Sequence, residues 1–135
     1  MNMDELMDEE SKPFWLALSH GRLSLPVCGV CGEQFFPPMP SCPTCGAANP
    51  SLREVPGIGV VYSWVVVHRT FDPDFAHEVP YTIVAVDMDG GGRVIGRLVG
   101  DASATPTAGC KVHFSPFIHN GRDFPGFVLS DSPGA

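Results

Sequence analysis

Two C-x-x-C pairs, Cys28-Gly29-Val30-Cys31 and Cys42-Pro43-Thr44-Cys45, separated by the stretch from Gly32 to Ser41, constrain this chain more than any other feature. They hold four of its five cysteines. A pair at that spacing puts two thiolates on one metal ion, and two pairs joined by a short hairpin complete a tetrahedral all-cysteine site. Zinc is the expected metal. Gly32 and Gly46 follow the pairs and can take the positive backbone angle that turns amides toward the sulfurs. Phe35, Phe36, Pro37, Pro38 and Pro40 suit the tight loop between the knuckles. Four thiolate ligands leave no open position for water, so the predicted zinc, one per chain, is structural and not a Lewis acid.

A disulfide framework and a redox pair are the competing readings of the same cysteines. The first ten residues hold five acids (Asp4, Glu5, Asp8, Glu9, Glu10), no basic residue and no apolar segment, which is unlike an export signal. A reducing cytoplasm is therefore the expected location, and thiols persist there. A thioredoxin-like motif needs one pair in a βαβ setting, not two pairs in tandem.

The formal net charge is −7, but five of the fifteen acids lie in those first ten residues, which leaves the remainder near −2. With 135 residues and 44% hydrophobic content the chain can build a real core. Its longest apolar run is far too short to span a bilayer. Residues 1–10 read as a disordered acidic tail, 11–46 as a helix followed by the ribbon, 47–56 as a polar, proline-bounded linker, 57–130 as a barrel and 131–135 as a second tail.

The helix is predicted from Ser11 to His20, with Ser11 as cap, Pro13 in the first turn and Gly21 as stop. Phe14, Trp15, Leu16 and Leu18 leave it almost no polar face, so it must lie between ribbon and body or dock on a second chain. Arg22 to Val27 reads as an extended lead into the metal site. Five strands follow: Val60 to His68, Tyr81 to Asp87, Arg93 to Val99, Cys110 to Phe117 and Phe124 to Leu129. Asp89-Gly90-Gly91-Gly92 makes a hairpin of the second and third. Five short strands without a long helix suit a small closed barrel of the OB type, and the fold class is therefore mainly β.

Catalytic constellations are not evident. Cys110 reads as a small buried hydrophobe, because its nearest histidine, His113, lies three residues on along the strand and faces the other way. His20, His68, His77 and His119 are scattered at element ends and loops, and most of them read as ordinary surface histidines.

In combination, the Pro-Phe-Trp helix, Gly21-Arg22-Leu23, the C-x-x-C-Gly ribbon with Pro37-Pro38, Cys-Pro-x-Cys-Gly, Gly57-x-Gly59, Tyr62-Ser63, Pro80-Tyr81 and Gly109 before a strand resemble one family. It is the OB-fold acyl-CoA-associated proteins with a rubredoxin-like zinc ribbon, long catalogued as domain of unknown function number thirty-five. The resemblance runs from about Ser11 to Leu129. Many members carry an arginine where this chain has Met39, so no basic phosphate contact is expected there.

The resemblance implies a non-catalytic accessory subunit of a thiolase-fold enzyme: a thiolase, an acyltransferase or an aldolase that shortens steroid side chains held as CoA thioesters. Such a subunit stabilises its partner and helps to shape the acyl-CoA channel. The competing class is a single-stranded nucleic-acid-binding OB module, with Tyr62 and Trp64 to stack bases. A nearly neutral body offers little phosphate neutralisation, which argues against it. A self-sufficient enzyme is the third class, and no site supports one. Phe14, Trp15, Phe35, Phe36 and Met39 in the helix and metal loop, with Phe71 and Phe75 after His68, are the candidate partner anchors. The alternative is that these segments fold over the barrel and hide them.

Overall fold

Ile58–Val67 is a run of uncharged, mostly β-branched and aromatic residues, and it forms the longest strand of the molecule, β3. The computed structural model describes residues 9–100 and 105–130. Most of the two expected tails, residues 1–8 and 131–135, therefore lies outside the described residues; Glu9 and Glu10 form a turn. Before β3 come a helix α1 (Lys12–Ser19) and strands β1 (Ser24–Val27) and β2 (Ser51–Glu54). After it come a 3₁₀ turn (Pro73–Phe75), β4 (Tyr81–Met88), β5 (Arg93–Leu98), β6 (Lys111–Phe114), β7 (Phe117–His119), β8 (Arg122–Phe124) and β9 (Gly126–Leu129).

β3, β4, β5, β9 and β6 close into a five-stranded barrel in that spatial order. Every pairing is antiparallel except β5 with β9, where Arg97 and Leu98 lie beside Gly126 and Phe127 in parallel register. Alternation along β4 points Val84, Val86 and Met88 inward, and Val61, Val94, Val112 and Phe127 meet them. Gly96 on β5 permits the closure: a Cβ there would stand 2.8 Å from Cε2 of Phe127 and 3.0 Å from the carbonyl oxygen of Pro125.

The ribbon and the barrel share this core. Phe14 and Leu18 from α1, with Leu23 and Leu25 from and just before β1, are buried in the same cluster as the barrel valines. The expected linker at 47–56 is corrected accordingly. Residues 51–54 form β2, paired with β1 in the register Ser24 to Glu54 through Val27 to Ser51. The proline-bounded polarity that suggested a linker reflects instead an edge strand that is largely solvated, with only Leu52 half-buried.

Three further expectations change. Ser11 stands at the N-cap position of α1 as predicted, but it takes helical backbone angles and makes no capping hydrogen bond with its side chain. The helix ends as expected, with the amides of His20 and Gly21 bonded to Ala17 and Leu18. The predicted strand Cys110 to Phe117 breaks at Ser115-Pro116, where the proline has no N–H to extend the ladder. Pro125 likewise separates β8 from β9. Between the breaks lies a hairpin that was not predicted, β7–β8, turned by Asn120-Gly121 with positive φ at both residues, the signature of a type I′ turn.

Candidate metal centre and apolar face

Each C-x-x-C pair sits on a knuckle built by backbone bonds. Cys28 donates its amide to Glu33 and accepts at its carbonyl from Gly32, while Cys42 donates to Ala47 and accepts from Gly46. Gly32 (φ +78°) and Gly46 (φ +81°) take the left-handed conformation these turns require, as predicted. The amides of Val30 and Cys31 point at Sγ of Cys28 and that of Thr44 at Sγ of Cys42, each at 3.4 Å.

The four sulfurs of Cys28, Cys31, Cys42 and Cys45 lie within 4.8 Å of one another. Two of the separations, Cys28 to Cys45 and Cys31 to Cys42, are 3.5 and 3.7 Å. A tetrahedron of thiolates with bonds of about 2.3 Å has edges of roughly 3.8 Å, so the donor set fits zinc. Its electrostatics point the same way. Hydrogen bonds from the amides of Cys31 and Val30 lower the Cys28 thiol to about 6. The amide of Cys45, with that of Thr44, lowers Cys42 as well. Cys31 goes the other way: its bond at Glu33 draws it down, but burial and the thiols of Cys28, Cys42 and Cys45 push it up to about 12. Four thiolates so close together need a dication to be ionised together.

The predicted anchors divide. Phe14 is 2% exposed and Phe35 5%, so both are core, and this corrects their reading as partner residues. Phe14 packs under α1 against Phe36, and Phe35 fills the small ribbon core with Cys28 and Cys42. Met39 leans on that same ribbon core. Phe71 is fully exposed. Trp15, Phe36 and Phe75 come together, with Tyr81, Phe117 and Phe124, around an open groove of 410 Å³ beside β4 and β5.

Beneath the groove runs a charge network the sequence did not reveal. Arg97 pairs with Glu78, and Nδ1 of His119 lies 2.6 Å from the other carboxylate oxygen of Glu78. His119 is corrected from a surface histidine to one 9% exposed, stacked on Phe75 at 3.9 Å. The hydrogen bond from Arg97, with the charges of Arg97 and His119, holds the Glu78 carboxyl below the usual carboxylate range against the opposing effect of burial. The guanidinium of Arg97 lies over Tyr81 (4.0 Å) and Phe117 (5.0 Å). Glu78, Arg97 and His119 come from a loop and two strands far apart in sequence, so no local pattern could have joined them.

Neither Cys110 nor His113 forms a reactive pair. Cys110 accepts the amide of Thr107 and packs on the core, while exposed His113 bonds Ser130. No helix among the described residues is long and apolar enough to cross a membrane.

A four-cysteine zinc ribbon fused through one core to a five-stranded OB barrel defines the class of this molecule. Its two parts match, in sequence, the rubredoxin-like zinc ribbon of ChsH2 (residues 15–51) and the C-terminal OB-fold domain of ChsH2 (residues 52–115), and the chain belongs to that family. It is similar to a solved chain of the Ltp2-ChsH2(DUF35) aldolase, with a TM-score of 0.81 and 28% identity over 93% of this chain and 98% of that one. A DUF35-family protein of unknown function from Sulfolobus solfataricus shares the fold at a TM-score of 0.65 and 16% identity, over 93% of this chain and 89% of that one. Among curated proteins, a probable enoyl-CoA hydratase alpha subunit of Thermomonospora curvata is 38% identical over 90 residues, 66% of this chain and 28% of its own length. A DUF35 domain-containing scaffold protein of Methanocaldococcus jannaschii is 34% identical over 74 residues, 53% of this chain and 51% of its own. The chain thus spans about half or less of those curated relatives.

Proposed function

We propose that this chain is a non-catalytic accessory subunit of a thiolase-fold acyl-CoA enzyme in the cytoplasm, where it stabilises the catalytic subunit and helps to shape the acyl-CoA channel. The observation that carries this reading is the correspondence, over nearly the full length of both chains, with the ChsH2 component of an aldolase complex. Two features of the site support it. The metal centre is closed by four thiolates, so it has nothing to offer a substrate. Among the described residues the buried titratable groups Arg97, Glu78 and His119 pair with one another beside an apolar groove, through Nδ1 of His119, while its Nε2 is left without a hydrogen-bond partner. Phe14 and Leu18 hold α1 against the barrel core, and the zinc holds the loop that carries Phe36, which together place Trp15 and Phe36 at the groove wall.

Co-expression with a thiolase-fold enzyme subunit from the same organism tests the proposal. The two should co-purify, and the enzyme should lose activity or stability when the chain is withheld. Trp15→Ala and Phe36→Ala should each weaken the complex by more than about 1 kcal/mol, the ordinary threshold for a contributing interface residue. An enzyme fully active alone and indifferent to this chain would refute the reading.

A further inference from the structure

The aromatic groove does not end at its rim. Val65 on β3 is registered opposite Ile83 on β4, and Ile95 on β5 is opposite Ala85, the next residue on that face of β4. Val65 and Ile95 are 60% and 54% exposed. Ile83 and Ile95 are also walls of the groove, so one apolar surface continues from Val65, across the outside of the barrel, to Phe124. Apolar surface of this extent on a folded chain marks an interaction site. Arg97, the cation in the groove lining, is neutralised by Glu78 and covered by Tyr81 and Phe117, and Arg93, further along the outer face of β5, is paired with Asp87.

Resting on the accessory-subunit reading, we infer that this outer face of β3, β4 and β5 with the groove is where the catalytic subunit docks, through a bulky uncharged side chain seated in the groove and a flat apolar surface over Val65 and Ile95. Charge selects the occupant: with Arg97 already paired, an acidic or basic anchor would be desolvated with no counter-ion. Area selects it too. A stable contact buries about 800 Å² on each partner, more than one strand or one hollow supplies, so the occupant must reach from Val65 to the far wall of the groove. A second copy of this chain fits less well, because the side chains that stand out from the face, Val65 and Ile95, are too small to fill a hollow of 410 Å³. The metal loop contributes little: Phe35 is buried, Met39 leans on the ribbon, and Val30 is exposed by itself.

The test uses the full chain and the co-expressed enzyme subunit. Val65→Lys and Ile95→Lys place charges on side chains already in solvent, so the isolated variants should unfold at the wild-type midpoint. Each should weaken the complex roughly tenfold or more, on the scale of a contributing interface residue. Val30→Lys on the ribbon should leave affinity within about twofold, as a residue off the interface does. Hydrogen exchange on the wild-type complex, which requires no variant to fold, should show new protection over β3 to β5 and residues 117–124. If the complex forms but ignores both lysines, or protection is confined to the ribbon, the docking face is wrong while the accessory reading stands. A wild-type chain that self-associates through this face and loses that association in the lysine variants assigns the surface to a second copy and overturns the inference. If the wild-type chain binds no enzyme subunit, the accessory reading falls and the docking face falls with it.

Discussion

Replacing Cys42 by serine should melt the metal loop and leave the barrel standing. Cys42 is 3% exposed, and with Cys28 and Phe35 it makes up the whole buried core of the ribbon's metal end, against which Met39 and Ala47 pack. Burying one phenylalanine contributes about 2–3 kcal/mol, whereas ordering the backbone between Cys28 and Gly46 costs roughly 1–2 kcal/mol for each residue. The apolar contacts fall far short of that cost. Zinc closes the gap, since its apparent contribution in small four-ligand sites is about 10–16 kcal/mol. Serine offers a protonated hydroxyl on a shorter bond in place of a thiolate. Yet β1 and its neighbours belong to the other core: Leu23 and Leu25 are fully covered by the barrel cluster. The metal loop meets the other region at two places: the side-chain amide of Gln34 donates to the carbonyls of Asp89 and Gly91 at 3.0 and 2.8 Å, and Phe36 packs on Phe14 at the edge of the barrel core. Metal analysis should therefore show wild-type protein with about one zinc per chain and the variant with little, as the loss of one of four ligands requires. Hydrogen exchange should show protection lost from Cys28 to about Asn49 and kept in β3 to β6 and β9. Protection lost throughout the chain, or kept in the knuckles without metal, would refute the reasoning.

Glu78→Gln should destabilise the fold by about 2 kcal/mol, less than for a fully buried pair because Glu78 and Arg97 retain 21% and 12% side-chain exposure, and it leaves Arg97 without its counter-charge. The folded-state pKa of Glu78 is depressed, so its stabilisation is present above the ordinary glutamate value of about 4.3 and is lost as pH falls through the lower folded value. Urea titrations of wild type and variant should therefore converge in strong acid, and a gap independent of pH would exclude the ionised pair as its source. Single-stranded DNA or RNA should bind no tighter than about 1 µM at physiological salt, since non-specific attraction is all a nearly neutral body offers. Arg93, which stacks on Tyr62 at 3.4 Å, is already paired with Asp87; salt-dependent nanomolar binding in fluorescence anisotropy would contradict this.

Much of the molecule is decided locally and is therefore legible in its residues. The metal site is set by spacing: two C-x-x-C pairs followed by glycines generate knuckles whose paired ligands lie three peptide bonds apart. The barrel strands are set by runs of β-branched residues between turns, with Gly90 to Gly92 turning β4 into β5. The Asn120-Gly121 turn was equally legible, yet the flanking prolines hid how short its strands are. Other features depend on contacts that no window of sequence contains. Residues 51–54 look like a linker until they pair with β1, and Phe14 and Phe35 look like anchors until the helix and loop close over them. His119 looks like a surface group until folding brings Glu78 to its Nδ1. The parallel contact of β5 with β9 closes the barrel and lays Phe127 over Gly96. The same closure assembles the groove from α1, the metal loop, the 3₁₀ turn, two barrel strands and the β7–β8 hairpin. Local spacing and periodicity determine which elements exist and what metal they hold. Which apolar side chains remain uncovered is a property of the whole packed chain, because burial is settled only when every element has found its neighbours.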